Sequence, residues 1–414
     1  MPHIRPNSAR LGDCVTLVAN TLMSEDGLRV LHVLPSLKDE YGGPLRMTLD
    51  VAARAESLGL SSDILGVGEQ KIRDNPVAPS RIHSVPLGTG GARYAYSPAL
   101  RGWLRKHLAS YDGVVVHGAW TYPGWAASVE CERVGVPYAC VPQGMLEQWA
   151  VHGQGWITST KKRLYWHLRE KRVWQNARAV FFSTALEQER KAFRVESHGL
   201  VLHPYGMELD VERVPSPQNK LLLQPPELKI ALFLGRTHPK KNPHLLIEAW
   251  KQAEVGPEWR LVIAGSGPES YQAEMAALIR RYKLEDRVSL PGFVTGLDKA
   301  YLLQRANWFL LPSSQENFGV AVLEAVQHRC AVAISNGVFL AESLRPSSEV
   351  MPPTLEAWTE FFRTRMQDAS WNESVRELDY QHLIREFGMD HVVEDWVDKL
   401  TETFRPRPVG TVKQ

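Results

Sequence analysis

Two carboxylates eight positions apart, Glu316 and Glu324, stand in the run Asn307-Trp-Phe-Leu-Leu-Pro-Ser-Ser-Gln-Glu316-Asn317-Phe318-Gly319-Val320-Ala-Val-Leu-Glu324-Ala325. An apolar run, a serine-rich turn and a second apolar stretch predict a buried strand, a turn and a helix opening near Phe318. The unpaired N–H groups and partial positive charge of such a helix start suit a phosphate or an anionic leaving group at the backbone of 317–320. A rise of about 1.5 Å per residue would separate the two carboxylates by roughly 12 Å along the helix. A ligand touching both is elongated, with hydroxyls at each end and negative charge between, and a nucleotide sugar has that shape. An amphipathic helix with a solvated glutamate has the same pattern.

Other candidates follow predicted strands. Strand 229–234 leads into Gly235-Arg236-Thr-His-Pro-Lys240-Lys241-Asn242, where Arg236 and Lys241, five positions apart, would flank a diphosphate or stand as solvated cations. Strand 113–116 ends in His117-Gly-Ala-Trp120, placing an imidazole where open α/β sheets bind ligands, although a lone histidine is more often structural. Strand 28–34 precedes Gly42-Gly43-Pro44 and a helix over 45–58, a unit that lets backbone approach an anion. Gly265-Ser-Gly267-Pro268 is no dinucleotide fingerprint, because the third glycine and the ribose acid are missing.

These segments need a scaffold of strands alternating with helices, an α/β class. At 414 residues the chain exceeds one ordinary core, so two domains are expected. Apolar content of 44%, charge of 23% and a net charge of +2 fit a globular protein and give no support for a nucleic-acid partner. The four cysteines show no metal-ligand spacing, and reduced thiols are expected. No apolar run approaches the roughly 18 residues of a spanning helix. Residues 1–26 imitate a signal peptide only faintly and are expected to form a loose extension, with Met23 as an alternative start. A proline-rich change of character over 203–228 marks the domain boundary. The segment 161–174 interleaves six basic residues with Tyr165, Trp166 and Trp174. It fits either an anionic membrane surface with those aromatics near the headgroups, or a solvated basic face with aromatics in the core.

Together, the two α/β halves, Gly235-Arg236 with Lys241, Gly265-Ser-Gly267-Pro268, and Glu316-Asn-Phe-Gly with Glu324-Ala325 resemble the glycosyltransferases of family four. His117-Gly-Ala-Trp120, Pro142-Gln-Gly-Met-Leu-Glu147-Gln-Trp149 and Lys161-Lys-Arg look like the bacterial members that extend lipid-linked exopolysaccharide or O-antigen units. The resemblance implies the GT-B fold, two Rossmann-like doubly wound domains facing across a cleft. The expected segments are an extension over 1–26, an acceptor-side domain over 27–205, a linker over 206–228, a nucleotide-sugar domain over 229–385, and a C-terminal helix and tail over 386–414 that packs back on the first domain.

By the same resemblance, Arg236 and Lys241 hold the donor diphosphate and stabilise its leaving charge. Glu316 contacts the donor sugar, the backbone of Asn317, Phe318, Gly319 and Val320 its sugar and phosphate oxygens, and Glu324 the ribose. Gly43 and Gly265 belong to the donor side, His117 lies near the anomeric carbon, and Trp120 and Glu147 are acceptor-side. Retention of configuration needs no metal and no cofactor, since two cations and a helix N-terminus can receive the leaving charge. The co-substrate is then a GDP- or UDP-linked sugar, and the acceptor a lipid-linked oligosaccharide. The expected place is the cytoplasm, at the inner face of the plasma membrane, with peripheral contact through 161–174. The chain departs from the family at Pro204-Tyr205-Gly206-Met207, at Lys241-Asn242 for Lys-Gly, at Pro142-Gln143-Gly144 for Pro-Arg-Gly, and on the donor side at Ser335-Asn336-Gly337-Val338. The leading expectation is a retaining hexosyltransferase, with mannose the first sugar to consider. The others are a nucleotide-sugar 2-epimerase on the same fold, and an inactive binding or scaffold protein.

Overall fold

The computed structural model describes residues 27–405 except 74, 90, 154, 204, 209, 210, 212, 220, 221, 345–347 and 369–372. The N-terminal extension, Met23, Pro204 and the last nine residues therefore lie outside the described residues. Seven strands, β1 (Leu28–Val33), β2 (Leu60–Val67), β3 (Ile82–Val85), β4 (Gly113–His117), β5 (Tyr138–Val141), β6 (Ala179–Phe182) and β7 (His198–Val201), form one sheet in the order β3-β2-β1-β4-β5-β6-β7. Six more, β8 (Lys229–Leu234), β9 (Trp259–Ala264), β10 (Val288–Gly292), β11 (Trp308–Leu311), β12 (Ala331–Ser335) and β13 (Glu349–Met351), form a second in the order β10-β9-β8-β11-β12-β13.

The pairings on both sides of β1 and of β8 are parallel. Parallel strands are covered by helices on both faces, so their sequences are apolar throughout: Ile230, Ala231, Leu232 and Phe233 are all fully buried. Both sheets count outward from their first strand in the doubly wound manner, and the order reverses between β1 and β4 and again between β8 and β11. Crevices outside the carboxyl ends of strands at such reversals are where open α/β sheets bind ligands.

Strands β3, β7 and β13 were not expected from the sequence. Each is a sheet edge, with one side unpaired and much of its length incompletely buried, so it lacks the apolar run that marked the central strands. The chain divides into two compact units, 1–139 with 397–414, and 140–396. This cut does not follow the proline-rich segment, although the sheets do change over there. Residues 140–207 share one unit with 229–396, as where Met207 N–H donates to the Phe387 carbonyl at 2.6 Å and Met389 N–H to the Met207 carbonyl at 2.9 Å. Within that unit the Trp396 indole donates to the His203 carbonyl at 3.1 Å. Among the described residues no helix is long and apolar enough to cross a membrane.

Candidate functional site

In the second unit, the loops after β8, β9 and β11 run against one another, and glycines make this possible. A Cβ on Gly265 would sit 1.7 Å from the Gly235 carbonyl oxygen, and one on Gly267 would sit 1.8 Å from that of Thr237. The stacked loops are tied by Gly235 N–H to the Ala264 carbonyl at 3.0 Å and Thr237 N–H to that of Ser266 at 2.9 Å. Ser314 binds the Lys240 carbonyl through both its N–H and its hydroxyl, each at 3.0 Å, joining the loop after β8 to the loop after β11. Asn242 closes the first loop at φ 58°, a left-handed conformation that asparagine tolerates better than most residues, which explains its presence where the family pattern has glycine.

These ties bring Lys241 and Glu316 together, with Nζ and Oε2 2.6 Å apart and both side chains mostly shielded from solvent. Glu316 is not helical: its N–H donates to the Gly337 carbonyl at 3.0 Å, and it bridges to Val338. The helix runs from Val320 to Gln327, with Gly319 as its cap at φ 96°. This corrects the expected start near Phe318 and removes the helical basis of the 12 Å separation. Only Glu324 stands on the helix, where Lys299 Nζ lies 2.6 Å from its Oε1. The Phe318 ring is buried against His203, Tyr205, Phe339 and Phe387, so only its backbone is available to a ligand. Arg236 is exposed.

A second layer comes from 143–149 and 183–190. Gln315 Nε2 donates to Glu147 Oε2 at 2.5 Å, Lys240 Nζ lies 4.8 Å from the centre of the Trp149 ring, and Trp149 meets His238 edge-on at 5.8 Å. Burial raises the Glu147 carboxyl above its ordinary range, with Lys240, Arg190 and Gln315 working against it and Glu316 with it. Burial likewise lowers the Lys240 amine, an effect opposed by Glu147 and Glu316. Gln143 and Gly144 are consecutively left-handed, at φ 54° and 77°, and bring Gly144 N–H onto the buried Glu187 carboxylate. That carboxylate also accepts from Ser183 N–H at 2.7 Å, and burial pushes its pKa up.

In the first unit, His117 ends β4 and is buried, its Nε2 2.9 Å from Nδ1 of His32 on the neighbouring β1, with the rings stacked. Burial and then the charge of Arg81 push His32 down to about 3, only partly offset by Asp63. Burial and then His32 hold His117 well below its ordinary value. The pair is therefore neutral at physiological pH. Trp120, half-buried, takes φ 66°, a strained conformation for an aromatic residue in a loop at a strand's carboxyl end. Gly43 opens the helix Gly43–Arg54, and the left-handed turn falls on Gly42 before it.

Sequence reasoning missed Lys299, His32, Gln315 and Lys240. Their partners lie 25 to 168 positions away, and no local pattern announces them. In the segment 161–174, two of the aromatics, Trp166 and Trp174, lie in the core, as the second of the two expectations for it had them. The segment belongs to a helix that runs from Trp156 to Tyr165, continues as a wide π-turn over Trp166–Glu170, and ends with Lys171–Gln175. Trp166 stacks on Phe193 at 4.2 Å, and Lys162 Nζ donates to the Ala150 carbonyl at 2.6 Å. Among the described residues no three His, Cys, Asp or Glu side chains converge as a metal-ligand group.

Two family profiles match the chain, "Glycosyl transferases group 1" over residues 218–361 and "Glycosyl transferase 4-like domain" over 42–206. The O-antigen chain mannosyltransferase B of Escherichia coli is 29% identical over 34% of this chain, and the matched stretch spans only 38% of that protein's length. The GDP-mannose:cellobiosyl-diphosphopolyprenol alpha-mannosyltransferase of Xanthomonas campestris is 23% identical over 72% of this chain and 76% of its own. Among solved structures, Anabaena HepE in complex with UDP and glucose superposes with a TM-score of 0.70 at 15% identity, covering 91% of this chain and 100% of that one. The sucrose-phosphate synthase of Thermosynechococcus elongatus gives 0.69 at 17% identity, covering 91% and 99%. Sheet order, family profiles and superpositions agree: the chain belongs to glycosyltransferase family four and has the GT-B fold.

Proposed function

We propose that this glycosyltransferase is a retaining, metal-independent hexosyltransferase that moves mannose from a nucleotide-diphosphate sugar to a lipid-linked oligosaccharide, in exopolysaccharide or O-antigen synthesis. The observation that carries the reading is the Lys241–Glu316 pair at the point where the second sheet reverses its order. On this reading Lys241 exchanges part of its bond to Glu316 for the donor diphosphate, and Arg236 takes the other side of that group. Glu316 is then released to the hydroxyls of the sugar. The backbone of 317–320 faces the phosphate oxygens, and Glu324, steadied by Lys299, takes the ribose. As the glycosidic bond to the diphosphate breaks, the leaving negative charge falls on two cations and a helix N-terminus already in place, which is where preorganised charge lowers a barrier most.

Mannose and a polyprenyl-linked acceptor are supported by the names of the Escherichia coli and Xanthomonas campestris relatives. On the acceptor side, His117 acts as a neutral imidazole, with Trp120 and Glu147 as further contacts. The test is transfer of labelled mannose from GDP-mannose to a polyprenyl-diphosphate oligosaccharide. Lys241→Ala and Glu316→Ala are expected to lower kcat/KM by about 10²–10³-fold with the fold retained, as for loss of a transition-state donor. Wild-type transfer by folded Glu316→Ala would overturn the assignment.

A further inference from the structure

The helix that carries Glu324 ends on a residue that does not suit its backbone. After Gln327 the chain closes the helix with Cys330 N–H donating to the Ala325 carbonyl at 2.9 Å, and Arg329 N–H to that of Val326 at 2.9 Å. This nested pair of bonds needs a left-handed residue at its next-to-last position, where helices ordinarily place glycine. Here the position is taken by Arg329, at φ 60°. An arginine in that conformation is strained, and it persists because its surroundings hold it.

Two of the contacts that hold it come from a neighbouring helix, Glu373–Phe387. Arg329 Nε donates to Glu377 Oε2 at 2.8 Å, and the guanidinium lies over the Tyr380 ring, 3.2 Å from its centre. A third contact, from Nη1 to the Gln327 carbonyl at 3.0 Å, ties the same group to the end of its own helix. Glu377 is itself braced, since Gln381 Nε2 donates to its other oxygen at 2.6 Å. Tyr380 is buried, and beside it Asp379 accepts from the Ser348 hydroxyl at 2.5 Å, which fixes the neighbouring helix to the stretch before β13. At its far end that helix sets Phe387 edge-on against Phe318, with ring centres 5.5 Å apart. Glu377 and Phe387 are ten positions apart, roughly 15 Å along a helix. The helix Glu373–Phe387 therefore lies antiparallel to Val320–Gln327 and grips it before its start and after its end. The aromatic contact alone would let the shorter helix turn about its axis, and the arginine at the other end removes that freedom. Glu324 stands less than two turns from Arg329, and His328 between them sets Nδ1 2.8 Å from the Glu324 carbonyl.

We infer that Arg329 is a positioning residue of the donor site and acts through Glu324: its tie to Glu377 and Tyr380 sets the rotation of the helix Val320–Gln327, and so the direction in which the Glu324 carboxylate meets the ribose of the nucleotide. This rests on the reading of Glu324 as a donor contact and deepens it by assigning the residues that aim it. It also accounts for the arginine. A glycine would close the helix without strain but has no side chain to reach the neighbouring helix.

The experiment is isothermal titration calorimetry of the full chain with GDP and with UDP, following the nucleotide that the wild type binds more tightly. Arg329→Gly and Glu377→Ala should each raise its Kd by about fivefold. Glycine accepts the left-handed backbone and the Glu377 side chain is 44% exposed, so both variants are expected to fold with a Tm close to that of the wild type. Glu377→Gln, which keeps an oxygen for Arg329 to bond, should restore most of the affinity lost in Glu377→Ala. The decisive comparison is the Glu324→Ala background, where neither Arg329→Gly nor Glu377→Ala should weaken binding further, because the carboxylate they misdirect is already gone. An equal loss with and without Glu324, or a wild-type Kd in both folded variants, would overturn the inference. Wild-type binding by Glu324→Ala would instead take Glu324 out of the donor site, and the inference with it.

Discussion

Glu316 and Glu324 differ in their partners more than in their chemistry. Each is held by a lysine at 2.6 Å, but Lys241 comes from the loop after β8, beside Arg236, whereas Lys299 comes from the helix Gly296–Arg305. If Glu324 contributes binding that is equal in ground and transition states, Glu324→Ala should raise KM for the donor by about tenfold while kcat changes little, and initial-rate kinetics over donor concentration would reveal it. A fall in kcat with unchanged KM would place Glu324 at the reacting sugar instead. His32 carries a different expectation. Its unfolded-state pKa is near 6.5, and folding lowers it to about 3, so the unfolded chain binds a proton that the folded one refuses. The stability it allows is present above about 6.5 and is lost as pH falls toward 3. Urea unfolding at a series of pH values should show this acid-side loss, and His32→Gln should show a smaller one. Glu316, Lys241 and Arg236 could be picked out in the sequence because they sit beside glycines and strand ends. His32 and Lys299 could not, because a histidine inside a buried strand and a lysine on a helix acquire meaning only from residues distant in the chain.

At the scale of elements, the loops that carry Arg236 and Lys241 depend on residues that carry nothing. Gly265 has no room for a methyl group against the Gly235 carbonyl, so Gly265→Ala should force the β8 and β9 loops apart. The expected cost is about 1–3 kcal/mol, with a Tm lower by several degrees. A larger loss of transfer than of stability is also expected, read by comparing Tm with kcat/KM at a temperature where the variant is folded. Central strands were legible because parallel strands buried on both faces read as continuous apolar runs, as in Lys229–Leu234. The helix near Glu316 was read one half-turn early, since Phe318 looks like a first helical apolar residue but is a core side chain standing before a left-handed Gly319. The burial of Trp166 and Trp174 was not legible either, because a constant helical period cannot describe a helix that widens partway along.

For the whole molecule, the proposed nucleotide-sugar site falls on the second sheet because the Lys241–Glu316 pair stands at that sheet's reversal, and the choice of donor follows by mass action. A thermal-shift series with GDP-mannose, UDP-glucose, UDP-galactose and UDP-N-acetylglucosamine, run in EDTA, should raise Tm most for GDP-mannose. A larger shift for a UDP-sugar would replace mannose in the proposed reaction, and dependence on added magnesium would remove its metal-independence. The wide turn over Trp166–Glu170 has a consequence of another kind, for which changes in chain length the protein can survive. Trp174 follows Trp156 by eighteen positions, which is five whole turns of a regular α-helix, so an unbroken helix would show both indoles to the same side. The wide turn rotates one against the other, leaving Trp156 in water and Trp174 in the core. The wide turn takes up one extra residue without changing the phase of the helix on either side of it, so deleting one residue between 166 and 170 would restore the regular winding with Trp174 still facing the core, whereas the same deletion elsewhere between Trp156 and Trp174 would turn the two indoles against each other. In related chains, a helix one residue shorter here should therefore lack the wide turn, with the missing residue falling between 166 and 170 rather than elsewhere between Trp156 and Trp174.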